Sequence, residues 1–156
     1  MYVLLFDGAS RGNPGPAACG FVVYKDDELV EARGEFLGST TNNVAEYKGL
    51  IRGLEFLVRR GVKEVTIYAD SELVVKQIKG EYKVKSPHLK PLHSYAQKLL
   101  KNFEKVSILH HPRSSNREAD RVANLALDRA LKSAGQPLAG SRLLEESPGS
   151  TGQDAG

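Results

Sequence analysis

Cysteine is all but missing from this 156-residue chain, where Cys19 stands alone. That excludes an internal disulfide framework and any multi-cysteine zinc site. No apolar run approaches the length of a membrane span. The opening Met1-Tyr2-Val3-Leu4-Leu5-Phe6 lacks the basic segment of a signal peptide. Around Gly12-Asn13-Pro14-Gly15 neither the GxGxxG nor the GxxxxGKS/T spacing occurs, so the usual loops that cradle nucleotide phosphates are absent. The composition, 40% apolar and 26% charged, is close to the globular average and excludes wholesale disorder and fibrous structure. The expectation is a soluble cytoplasmic protein with one domain of ordinary size.

A strong charge of one sign is also lacking, since the net charge is only +3. The surplus is uneven. Residues 1–134 hold 21 basic and 16 acidic groups, a net of +5, which permits a polyanionic partner without demanding one. From Gly135 to Gly156, ten of 22 residues are Gly, Ser or Pro and periodicity fades. The expected organisation is therefore a domain over 1–134 and a disordered tail over 135–156, with Leu143-Leu144 as its one segment able to dock.

What is present in the first 134 residues is an alternation of elements. Tyr2–Phe6 and Gly20–Tyr24 read as buried strands, and Glu28–Leu37 returns antiparallel after the tight turn Asp26-Asp27. Tyr47, Leu50, Ile51, Leu54, Leu57 and Val58 recur at helical spacing, with Gly61 as the stop. Val65–Ala69 and Val106–Leu109 are strands; Ser71–Ile78, His88–Phe103 and Asn116–Leu131 are helices. Three strands followed by alternating helices and strands predict an α/β fold with a mixed five-stranded sheet flanked by helices.

Four carboxylates stand out against this frame. Asp7 and Asp70 each follow an apolar strand, the place where α/β sheets bind ligands. Glu46 shares the core-facing side of the long helix with Leu50, Leu54 and Leu57, so it needs a partner. Asp120 lies beside the alanine face of the last helix. Each has a plainer explanation. Asn43-x-x-Glu46 fits a capping box, Asp70 could cap the helix beginning at Ser71, Asp7-Gly8 could be a turn, and Asp120 could complement its helix dipole. One site explains all four together. Clustered carboxylates stay ionised only around a cation, and all-oxygen ligation selects magnesium or manganese over zinc. Such a cluster without a nucleophile triad suits two-metal phosphoryl chemistry.

The residues also resemble a family. Asp7–Pro16, Thr40–Tyr47, Asp70–Gln77 and Asn116–Ala123 are similar, in order, to the four motifs of type 1 ribonuclease H, over roughly residues 1–132. The resemblance implies the ribonuclease H-like fold, with three antiparallel strands followed by two parallel ones. It implies an endonuclease that cuts the RNA strand of an RNA–DNA hybrid and leaves 5′-phosphate and 3′-hydroxyl ends. A monomer with no protein partner is the default expectation. The resemblance places two Mg2+ or Mn2+ ions on Asp7, Glu46, Asp70 and Asp120. It assigns minor-groove contacts to Asn13, Asn42 and Asn43 and a DNA phosphate to Thr41, although Asn and Thr are favoured in turns and caps anyway.

The chain departs from the family pattern at several points. The basic helical insertion expected after the third motif is reduced to Lys79–Lys90, without Trp, and the usual phosphate-pocket Arg falls on Ser39. The optional N-terminal hybrid-binding module is not expected, because the first motif begins at residue 7. Before Asp120, where many members carry a His, Pro112-Arg113 resembles the archaeal-like subgroup. There Arg113 takes the role assisting proton transfer or product release, in preference to His111, because His110 and His111 finish a strand. That subgroup implies a side activity on double-stranded RNA. The competing readings are a non-catalytic duplex-binding module and another nuclease or transferase of the superfamily.

Overall fold

The computed structural model describes residues 1–111 and 116–135. Strands β1 (Tyr2–Ser10), β2 (Gly15–Lys25) and β3 (Glu28–Thr40) precede helix α1 (Asn42–Arg59). Then follow β4 (Glu64–Ala69), α2 (Glu72–Ile78), α3 (Lys90–Leu100), β5 (Lys105–His110) and α4 (Arg117–Gly135). The sheet runs β3-β2-β1-β4-β5. β1, β2 and β3 pair antiparallel, and β4 joins β1 and β5 in parallel. This is the mixed five-stranded arrangement the sequence predicts. No helix among the described residues is long and apolar enough to cross a membrane.

The β2–β3 hairpin closes on Asp26 and Asp27, both at positive φ (50° and 70°). Aspartate tolerates that region and its twist suits a two-residue hairpin. Strand lengths depart from expectation. β1 continues past Phe6 to Ser10, and β2 begins at Gly15-Pro16, inside the segment expected to be only a turn. The cause is pairing: the small residues Gly8, Ala9 and Ser10 lie opposite Cys19, Ala18 and Ala17, so the antiparallel ladder runs beyond the apolar run. β3 likewise extends to Thr40, which pairs with Gly15. α3 is shorter than expected, with Pro91 in its first turn, and α4 continues to Gly135. The rest of the expected tail, 136–156, lies outside the described residues.

The core lies between the sheet and α1, where Leu50, Leu54 and Leu57 pack with Leu4, Phe6 and Ile67, all fully buried. The opposite face of β1–β3 carries α4 through a smaller cluster of Ala9, Ala18, Ala123 and Leu127. Its residues are small because α4 comes very close. A Cβ on Gly34 of β3 would sit 2.4 Å from the backbone oxygen of Val122. Backbone cannot step aside, so Gly34→Ala should cost about 1–3 kcal/mol by overpacking. Gly53→Ala is the contrast: its Cβ would meet the Leu4 side-chain tip at 2.4 Å. That tip can move, and alanine regains up to ~1 kcal/mol of helix propensity. Urea unfolding should rank Gly34→Ala clearly below Gly53→Ala; the reverse order would contradict this packing.

Candidate active site

The parallel ladder between β1 and β4 ends at the pair Phe6–Ala69. The residue after each of these is a carboxylate, Asp7 and Asp70, so the two emerge side by side. Asp7 is therefore not at the end of β1, as the apolar run suggests, but at the end of its parallel pairing. It still lies opposite Gly20 on β2, and it is completely buried.

Glu46 arrives from α1. The helix approaches β1 so closely that a Cβ on Gly8 would lie 2.5 Å from the Glu46 backbone nitrogen. The Gly8 N–H donates to Asp7 Oδ1 at 2.9 Å and to Glu46 Oε2 at 3.1 Å, tying the two side chains to one amide. The plainer explanations for these carboxylates fall away. The cap of α1 is Thr41, whose hydroxyl accepts from Val44 N–H, so Glu46 has no capping-box role. Ser71 caps α2 in the same way, so Asp70 is not that cap.

Asp7, Glu46 and Asp70 each offer an oxygen within 4.8 Å of the others. Asp120, in the first turn of α4, lies outside that mutual distance and joins the group by a hydrogen-bond contact with Asp7. Two residues without an expected role build this corner. The Asn116 amide donates to the Phe6 carbonyl at 2.8 Å, pinning the start of α4 to β1 one residue before Asp7. Asn124 Nδ2 donates to the Asp120 backbone oxygen at 2.9 Å and its Oδ1 at 3.2 Å. Asn116 stands within the fourth motif, and Asn124 is four residues from Asp120 on the same helix face. Spacing alone does not separate either from an ordinary helical asparagine.

Burial, then the negative charge of Asp70 and contact with Asp120, push the Asp7 carboxyl up to about 7, against the opposing effects of Glu46 and the Gly8 amide. Burial and the neighbouring Asp7 raise Glu46 well above the ordinary range. A shared proton relieves the repulsion between the two when no cation does. Asp7 Oδ2 and Glu46 Oε1 are buried yet receive no hydrogen bond from an amide, hydroxyl or charged nitrogen among the described residues. Buried oxygens left this way require a cation or a proton. An all-carboxylate donor set fits a hard divalent ion.

Comparison with known proteins agrees with this geometry. Residues 5–126 match the family described as reverse transcriptase-like. The chain superposes on the crystal structure of RNase H1 from Halobacterium salinarum with a TM-score of 0.79 and 43% identity, covering 82% of this chain and 98% of that one. The chain belongs to the type 1 ribonuclease H family. Against LC11-RNase H1, crystallised in complex with an RNA/DNA hybrid, this ribonuclease H chain gives a TM-score of 0.80 and 39% identity, covering 84% of itself and 99% of that structure. A bifunctional protein of Mycobacterium tuberculosis is 44% identical over 154 residues, 96% of this chain but 42% of the relative, so the chain spans less than half of that relative's length.

The residues expected to touch substrate gather at the β1–β2 turn and the start of α1. Asn13 is exposed in the β1–β2 turn, and its Oδ1 accepts from the Asn42 N–H at 3.0 Å, latching that turn to the start of α1. Thr41, Asn42 and Asn43 are half-buried there. Lys79, Lys83, Lys85 and Lys90 are exposed along the link between α2 and α3. His111 continues the β5 ladder, its N–H donating to the Ala69 carbonyl at 2.7 Å, and its ring lies 4.6 Å from that of Tyr68. Arg113 lies outside the described residues.

The raised carboxyls couple stability to pH. Below the ordinary Asp value of 3.8 both folded and unfolded chains keep the Asp7 proton, and folding bears no penalty. As pH climbs toward about 7 the unfolded chain loses that proton while the folded one holds it, and stability is progressively lost. In chelator, Asp7→Asn should therefore gain on the native protein from pH 4 to pH 7, reaching on the order of a few kcal/mol. Saturating Mn2+ should reverse the order, because the ion stabilises only the native cluster. Melting curves check this; a native-to-variant difference that stays flat across this range counts against convergence of the carboxylates.

Proposed function

We propose that this protein hydrolyses the RNA strand of RNA–DNA hybrids, leaving 5′-phosphate and 3′-hydroxyl ends, with Mg2+ or Mn2+ held by Asp7, Glu46, Asp70 and Asp120. The observation that carries the reading is the meeting of three carboxylates within 4.8 Å at the open end of the β1–β4 ladder. The hybrid bound to LC11-RNase H1 supports the substrate class. When bound, such ions lower the pKa of water and stabilise charge on the departing oxygen.

The chain's own groups bind, orient and discriminate. Asn13 uses its carbonyl on Asn42, which leaves its NH2 to donate toward a minor groove. Asn42 and Asn43 present amides from the first turn of α1, within reach of base edges and 2′-hydroxyls. The Thr41 hydroxyl accepts from Val44 as a cap, so its own proton is available to a phosphate oxygen. The Gly8 amide holds Asp7 and Glu46 together. The exposed lysines between α2 and α3 supply phosphate attraction, which weakens with added salt. Ser39 contributes no charge there.

A labelled-hybrid cleavage assay, run with each divalent ion and with chelator, tests the reading. Cutting of the RNA strand should require Mg2+ or Mn2+, and duplex DNA should remain whole because it lacks 2′-hydroxyls. Double-stranded RNA in the same panel reads the breadth of substrate. Asp7→Asn and Asp70→Asn should each lower the rate on the order of a thousandfold or more, since metal-stabilised charge is worth several kcal/mol. Retained cleavage in both variants would falsify the site. A gel shift without cleavage in either ion would leave only a binding module.

A further inference from the structure

Arg11 is exposed in the turn after β1, and its backbone N–H donates to the Pro16 carbonyl at 2.8 Å. Its side chain leaves the turn and crosses to α4. One terminal nitrogen donates to Asn124 Oδ1 at 3.4 Å, and the other pairs with Asp128. Arg11 and Asp128 are 44% and 61% exposed, so the ion pair itself contributes little to stability. Its consequence lies at Asn124. An arginine only donates, so Asn124 must turn its oxygen to Arg11. Its NH2 then faces Asp120, donating to the carboxylate Oδ1 at 3.2 Å. The flipped amide would set donor against donor at one end and oxygen against carboxylate at the other. The amide therefore has one orientation, held at its oxygen by Arg11 and at its NH2 by the Asp120 carbonyl and carboxylate.

We infer that Asp128, Arg11 and Asn124 form a positioning relay that fixes the Asp120 carboxylate at the metal site and ties its placement to the turn carrying Asn13. The inference deepens the ribonuclease reading and rests on it. Arg11 and Asn124 touch neither substrate nor ion; they act through Asp120. Asn13 sits two residues from Arg11 and is latched to α1 through Asn42 N–H. Movement of this turn on meeting a duplex is thereby passed to the fourth carboxylate. Partners behind a metal ligand commonly change metal affinity 10- to 100-fold when removed.

The test compares Asn124→Leu, Asn124→Asp and Arg11→Met with the native protein, reading Mn2+ affinity by calorimetric titration and melting temperature in chelator. Asn124→Leu should weaken Mn2+ binding roughly 10-fold. Asn124→Asp separates positioning from packing. It matches asparagine in shape and keeps an acceptor for Arg11, yet presents a carboxylate to Asp120, so it should bind Mn2+ no better than Asn124→Leu. Arg11→Met removes the tether on the amide oxygen and should weaken binding about 3-fold, a smaller loss than direct removal of the donor. Combined with Asn124→Leu it should add nothing, since both act through one contact. Asn124→Gln, which keeps the amide, should recover part of the affinity. Affinities within twofold of native for both Asn124→Asp and Arg11→Met overturn the relay. Should the Asn124 variants fail to fold, Arg11→Met, at an exposed turn, decides alone by the same criterion. A native protein that neither cleaves hybrid nor takes up Mn2+ overturns the relay and the ribonuclease reading together. A native protein that cleaves hybrid beside unaffected variants overturns the relay only.

Discussion

Negative charges cannot be gathered in a dry place without something positive among them, and the architecture of this chain is arranged around that constraint. Asp7 is fully buried and Glu46 is 2% exposed, with Asp70 beside them. Isolated, each would cost several kcal/mol to bury in ionised form. The fold forces the encounter with its strongest element, the central strand β1, which is paired on both sides and covered by helices on both faces. The repulsion is thus carried by backbone pairing that cannot yield locally. Relief comes from a proton in the metal-free state and from a divalent cation in the working one. In the proposed reading the same cluster is a defect for stability and the source of the chemistry.

Small residues make the encounter geometrically available. Gly8 lets α1 approach β1 until Glu46 and Asp7 share one amide, and Gly34 lets α4 descend on the other face. Asn116 then locks the start of α4 to Phe6, immediately before Asp7. α1 reaches β1 at Gly8 and α4 reaches β3 at Gly34 because neither position carries a side chain that would block the approach. Larger side chains at these contacts would move a carboxylate as well as loosen the core, so packing and site geometry are inseparable in this fold.

Much of this is legible in the residues. Glu46 at helical spacing with Leu50 and Leu54 points inward, and the structure buries it with them. Asp7 and Asp70 after apolar runs belong at strand ends, and the parallel ladder stops just before both. The extension of β1 to Ser10 is less legible, because Gly8, Ala9 and Ser10 have no apolar signature; cross-strand pairing with β2 makes them strand. Asn43-x-x-Glu46 reads as a capping box at the start of α1, but the cap falls elsewhere. Thr41 wins the cap because its side chain meets Val44 N–H, while Glu46 is drawn to Gly8, a partner 38 positions away. Local pattern cannot express a partner at that separation. The same is true of Asn124, whose amide oxygen meets Arg11 from 113 positions away.

In the proposed function, the division between strand-borne chemistry and loop-borne recognition follows from what each must tolerate. The carboxylates sit on or beside paired backbone, since an error of an ångström in a charge cluster changes its energetics. The amides of Asn13, Asn42 and Asn43 sit on a turn and a helix start, where they can follow a duplex whose groove width varies. Such a division needs a connection, because a site assembled before the duplex is seated exposes its charges to water for no gain. The turn between β1 and β2 is placed to make it. One end continues the strand that carries Asp7, its middle offers Asn13, and Arg11 reaches α4 beside Asp120. A short, weakly stable segment can couple recognition to chemistry here because the elements it joins are rigid and only its own few hydrogen bonds need rearrange.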